Sequence, residues 1–174
     1  MKSFKKPDDD LVSAARSRNM AAIRSKNTKP ELLIRKALHA KGARYKLHDI
    51  NLPGKPDLVF PKYHAALFVN GCFWHGHNCP VFHWPQTRTD FWQDKIEKNI
   101  IRGQSTLAAL NSSGWRVCTI WECALKGKNR LIFHEVIDSV MNWLSSDVKD
   151  ICIEGKKLVQ SACCSTEPNG RTRC

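Results

Sequence analysis

At 174 residues the chain is long enough for one domain with a real core and too short for two comfortable ones. Lys and Arg number 28 against 16 Asp and Glu, a formal charge of +12 that favours a polyanionic partner, and 6 Trp stand out in an otherwise ordinary globular composition. The start, MKSFKKPDDD, lacks a signal-peptide pattern and no apolar run approaches the roughly 18 residues needed to span a bilayer, so secreted and membrane-spanning classes are set aside, a cytoplasmic protein with no membrane partner is expected, and its 8 cysteines are expected to be reduced.

Along the chain, AARSRNMAAIRSK (14–26) places Met20 and Ile23 at helical spacing among basic side chains, which predicts a short helix or arm with a positive face for phosphate contacts. TKPE then offers Thr28 as a helix cap with Glu31 reaching back from the third position, followed by Leu33, Ile34, Ala37 and Leu38 on one face and Gly42 as the stop. RYKLH (44–48) alternates like a strand before LPGKP turns the chain, and DLVF and HAALFV, separated by PKY, read as a buried hairpin. After a loop from Asn70 to Arg88, a long helix is predicted from about Thr89 to Asn111, with Phe91, Ile96, Ile100, Leu107 and Leu110 as its buried side. WRVCTIW (115–121) is a strand and NRLIFHEVIDSVMNWL (129–144) a final amphipathic helix. This order gives a mixed α/β domain with a central sheet over residues 16–150, between a flexible basic tail at 1–15 and a polar tail at 151–174 expected to be disordered. Cys163, Cys164 and Cys174 fall in that second tail and take no role.

GCFWHGHNC (71–79) packs Cys72, His75, His77 and Cys79 into one loop, and Cys123 in WECAL adds a fifth donor for the four positions of a closed tetrahedral zinc site. A site that recruits Cys123 fixes the loop against the sheet and closes a long chain segment, which contributes more to folding than a loop tied to itself. His77 and Cys79, one residue apart, can face the same way in an extended chain, which favours His75 as the spare donor. Cys118 could replace Cys123, but in its alternating strand it shares a face with Arg116 and Ile120 and is expected in the core. A catalytic zinc of the deaminase kind would need H-x-E with a later PCxxC, and neither is present.

RSRNMAAIRSKNTKPE, LPGKPDLVFPKY, GCFWHGHNC, TRTDFWQDKIEKN and GWRVCTIWECALKG, in this order and spacing, resemble the very short patch repair (Vsr) endonucleases, DNA mismatch endonucleases of bacteria, over about Arg16 to Gly127. The resemblance implies a restriction-endonuclease-like core and magnesium-dependent nicking of double-stranded DNA 5′ to the T of a T:G mismatch, the lesion left when 5-methylcytosine deaminates. It also implies a nucleoid-associated monomer with mismatch-repair proteins as further partners. Carried over by position, it makes Cys72, His77, Cys79 and Cys123 the ligands of a structural Zn2+ and Asp57 the carboxylate for a catalytic Mg2+, with the backbone carbonyl of Val69 completing the protein's share. It makes His75 the general base and Glu31 an accessory acid. Phe73, Trp74 and Trp92 become a wedge entering the base stack, and Arg16, Arg18, Arg24 and Lys26 the phosphate contacts. Two positions depart from the family pattern, Asn70 where a histidine precedes the loop glycine and Gly103 where an aspartate follows the arginine of the long helix. They raise the alternative of a mismatch-DNA-binding module with impaired catalysis.

Overall fold

The computed structural model describes residues 26–156, so the predicted arm at 14–26, apart from Lys26, and Cys163, Cys164 and Cys174 lie outside the described residues. The elements are α1 (Lys29–Ala40), β1 (Lys46–Leu47), β2 (Leu58–Phe60), a 3-10 turn (Pro61–Tyr63), β3 (Ala65–Asn70), α2 (Thr89–Ser112), β4 (Arg116–Trp121), α3 (Glu122–Leu125), α4 (Phe133–Leu144) and β5 (Asp150–Ile153). The five strands form one mixed sheet in the order β1-β2-β3-β4-β5. The hairpin pairs β1, β2 and β3 antiparallel, whereas β3, β4 and β5 run parallel.

Helix α1 starts as its sequence dictates. Thr28 is the cap and donates its hydroxyl to Glu31 Oε1 at 2.9 Å, while Glu31 Oε2 accepts the Asn27 backbone N–H at 2.8 Å, one residue outside the usual reciprocal pair. Gly42, with φ of +88°, follows its end. Ile34 and Leu38 are buried, but Leu33 is 55% exposed, on the far edge of the stripe from the sheet. On α2, Ile96 and Leu110 are buried, while Phe91 and Leu107, predicted to be covered, are exposed. The apolar spacing fixes a stripe wider than the surface that the sheet covers.

The sheet is a middle layer. Ile34 and Leu38 of α1 and Val136, Ile137, Val140 and Leu144 of α4 pack with Leu58, Phe60, Leu67, Cys118 and Ile120 from one sheet face. Leu110 of α2 packs with Ala66 and Val117 from the other. Alternation along β3 and β4 sends successive residues to opposite faces, and it puts Cys118 in the core with Ile120, as expected.

Three further expectations need correction. The strand at 44–48 reduces to Lys46–Leu47, both exposed on the sheet edge. Helix α4 begins at Phe133 rather than near Asn129. The polar tail expected from 151 instead opens with β5, which pairs with β4 through Val117 to Ile120. Asp150 holds it there, its carboxylate accepting the Val117 backbone N–H at 2.9 Å and the Asn111 side chain at 2.8 Å. Arg116 fixes the preceding turn by donating to the carbonyls of Trp143, Leu144 and Val148.

Candidate active site and metal centre

The parallel register of β3 and β4 decides where the donors meet. Asn70 pairs with Trp121 at the C-terminal end of both strands, so Cys72 and Cys123, each two residues further on, leave the sheet at the same level. The loop after β3 then turns back over this edge. His77 donates its backbone N–H to Cys72 O at 3.0 Å, and Gly76 adopts φ of +57° where a Cβ would stand 2.9 Å from Ile96. A side chain there would push the loop off α2, whose Asn99 donates to Trp74 O at 3.0 Å.

Cys72, His77, Cys79 and Cys123 each present one donor atom within 4.8 Å of the others. His77 Nδ1 lies 3.6 Å from both Cys72 Sγ and Cys123 Sγ. A tetrahedral ion with metal–nitrogen bonds of about 2.05 Å and metal–sulfur bonds of about 2.3 Å sets that nitrogen–sulfur edge at about 3.6 Å, so the spacing fits such an ion. Burial pushes the thiols of Cys72 and Cys123 up, and mutual repulsion with Cys79 adds to it. Thiolates in this setting need a cation beside them. Cys118 is absent from the cluster and lies in the core. His75 is also absent from it.

A second group forms beside the first, where Glu31, His48 and Asp57 bring one ligand atom each within 4.8 Å. Asp57 Oδ2 accepts the Val69 backbone N–H at 2.8 Å, and His48 Nδ1 lies 3.8 Å from Asp57 Oδ1. Burial raises the Asp57 carboxyl to about 7 against the lowering effect of the Val69 hydrogen bond, and the Glu31 charge adds to the rise. Among the described residues neither carboxylate has a lysine or arginine in an ion pair. Among the described residues His48 Nε2 is buried without a hydrogen-bond partner, and the residue holds φ of +47°. Two uncompensated acids beside an unsatisfied imidazole suit a divalent cation. His48 was not singled out in the sequence, where a lone histidine after a short strand carries no signal.

Both groups border one cleft of about 1220 Å³, lined among others by Lys26, Glu31, Asp57, Val69, Asn70 and His75. Burial lowers the His75 imidazole, which keeps it neutral at neutral pH, and its ring meets Trp121 edge-on at 6.0 Å. Phe73, Trp74 and Trp92 form one half-buried aromatic group, with centroids 5.2 Å apart for Phe73–Trp74 and Phe73–Trp92. Lys95 stands over Trp74 and Trp92 at 5.7 and 5.8 Å, placing a cation on the rings. Among the described residues no atom lies within 4 Å of where a Cβ at Gly103 would be.

A family model described as DNA mismatch endonuclease Vsr matches residues 8–81. The chain is 50% identical over 117 residues to the type II nicking enzyme V.XorIIP of Xanthomonas oryzae pv. oryzae, an overlap of 67% of this chain and 86% of that protein. It is 39% identical over 134 residues to the DNA mismatch endonuclease Vsr of Escherichia coli K12, covering 77% of this chain and 86% of the relative. The type II nicking enzyme V.NmeAIP of Neisseria meningitidis serogroup A is 43% identical over 139 residues, covering 76% of this chain and 99% of its own length.

Two outcomes follow from the geometry. Cys123→Ser should lose its bound metal and its solubility together while Cys118→Ser keeps about one ion per chain, read by elemental analysis of the purified variants; full metal in the Cys123 variant would mean that the loop suffices alone. The Asp57 carboxyl, raised from 3.8 to about 7 on folding, contributes stability as the neutral form below about pH 4 and loses it as pH climbs through about 7. Without added Mg2+, melting curves should therefore show Asp57→Asn gaining on the unmodified protein between about pH 4 and pH 8, with Mg2+ raising Tm only where Asp57 is present. A gap that stays constant with pH would count against an uncompensated buried charge at this position.

Proposed function

This chain belongs to the Vsr family of DNA mismatch endonucleases and is a DNA endonuclease, and we propose that it nicks double-stranded DNA 5′ to the T of T:G mismatches. The observation that carries this reading is the separation of donors around one cleft: His75 stands outside the sulfur-rich cluster yet lines the same cleft as Asp57.

Cys72, His77, Cys79 and Cys123 would hold a structural zinc, which clamps the 71–79 loop to the ends of β3 and β4. Asp57 and the Val69 carbonyl would hold magnesium, which when bound supplies charge stabilisation on the non-bridging and leaving oxygens of the phosphodiester. Glu31 sits beside Asp57 as an accessory acid, and its capping contacts keep it in place. His75 is the general base. Its burial leaves the imidazole neutral and able to accept the proton of the attacking water near neutral pH.

Phe73, Trp74 and Trp92 enter the stack beside the mismatch. Separating stacked bases costs a few kcal/mol, less where the pair is already distorted, so a rigid aromatic wedge favours the mismatched site. Phosphate contacts come from Lys26 at the cleft and from Arg16, Arg18 and Arg24, which lie outside the described residues. A restriction-endonuclease-like core, a monomeric state and hand-over to mismatch-repair proteins complete the proposal.

His75→Ala should keep the cluster metal and its affinity for a T:G duplex while nicking falls by about 10²- to 10⁴-fold with Mg2+ present. Undiminished nicking by this variant would remove His75 from the role of base. An unmodified protein that binds the T:G duplex tightly but never cuts it would replace this reading with the binding-module alternative raised by Asn70 and Gly103.

A further inference from the structure

An imidazole offers Nδ1 to a metal only while its proton sits on Nε2, so a metal-binding histidine depends on what its other nitrogen meets. His77 turns Nδ1 toward the cysteine sulfurs, and its Nε2 lies 2.9 Å from Glu154 Oε2. A carboxylate accepts but cannot donate, so it holds the proton on Nε2 and leaves Nδ1 as a lone pair facing the cluster. The ring is fixed in a second direction by Trp121, stacked on it at 4.0 Å with 8° between the planes.

The next residue touches the cluster too. The Gly155 backbone N–H donates to Cys123 Sγ at 3.3 Å. This approach needs glycine, because a Cβ at 155 would stand 2.6 Å from Cys123 O and 2.9 Å from Asn129 O. Register explains why the chain arrives here. Ile153 pairs with Ile120, so continuing the strand by one and two residues carries Glu154 and Gly155 alongside Trp121 and Glu122, next to Cys123.

We infer that Glu154 is a positioning residue that sets the tautomer and orientation of His77, and that the Glu154–Gly155 segment after β5 supports the metal centre from outside its ligands. The inference rests on the cluster holding a metal. Its reach extends to the cleft, because Trp121, stacked on His77, also meets His75. Seating of the C-terminal strand and retention of the metal are therefore coupled.

The test uses the full chain, unmodified and as Glu154→Ala and Glu154→Gln, with Zn2+ as the probe in competition against a chromophoric chelator. Glu154→Ala should bind Zn2+ about 10- to 100-fold more weakly, and Glu154→Gln, whose amide oxygen still accepts Nε2–H, should recover much of the loss. In the unmodified Zn2+-loaded protein, ¹⁵N–¹H NMR should show the His77 Nε2–H shifted downfield and protected from solvent exchange by its hydrogen bond to Glu154. This measurement decides the matter even if the alanine variant fails to fold. A His77 Nε2–H that exchanges freely with solvent, or an alanine variant within threefold of the unmodified protein, overturns the inference while the metal centre stands. Failure of the unmodified protein to bind Zn2+ overturns both.

Discussion

The constraint on which the rest depends is the parallel pairing of β3 with β4. Parallel strands cannot be joined by a tight turn, so the chain must cross the sheet between them, and here it does so through the 71–88 loop and α2. In return both strands end at the same edge. Cys72 and Cys123, 51 positions apart in sequence, emerge side by side because Asn70 is level with Trp121. A one-residue slip in that register would turn the core side chains of one strand to the wrong face, so hydrophobic packing of Leu67, Cys118 and Ile120 also fixes the spacing of the metal donors.

The same edge keeps two kinds of donor apart. Three thiols and one imidazole gather at the strand ends, while two carboxylates and His48 gather where α1 approaches β2 and β3. Soft sulfur donors favour zinc-like ions and carboxylate oxygens suit magnesium-like ions, so the two groups differ in the metal that each prefers. The cost of each arrangement also differs. Burial pushes the cysteine thiols toward their neutral form and does the same to Asp57, and in both places a bound cation would offset the charge that burial penalises.

What was legible in the sequence was local. The Thr28–Glu31 cap, the hairpin around PKY and the core assignment of Cys118 each depend on residues within one element or turn, and each stands in the fold. The sulfur and nitrogen donors were also legible, because Cys72, His77 and Cys79 crowd one short loop, a density that side chains seldom reach without a metal to share. What the sequence hid was nonlocal. Strand β5 has only four residues and is held by Asp150 against Val117 and by a turn that Arg116 fixes, partners about 30 positions away. Glu154 is 77 positions from His77, and His48 gains meaning only beside Asp57. Helical spacing likewise marked Leu33, Phe91 and Leu107 as apolar without saying how far the sheet extends beneath them.

The two large rings in a polar metal loop make sense through rigidity. Phe73 and Trp74 follow Cys72 directly, and Trp92 meets them from α2, so the aromatic group is tied at one end to a metal donor and at the other to a helix. A flexible apolar side chain loses conformational freedom when it enters a base stack, and that loss subtracts from whatever preference it has for a weakened pair. Rings already fixed against one another lose little, so the difference in unstacking cost between matched and mismatched DNA is passed on nearly whole. With the wedge role proposed above, a metal held by the cluster would serve discrimination as much as folding, by removing the motion that would otherwise blur the comparison between one base pair and the next.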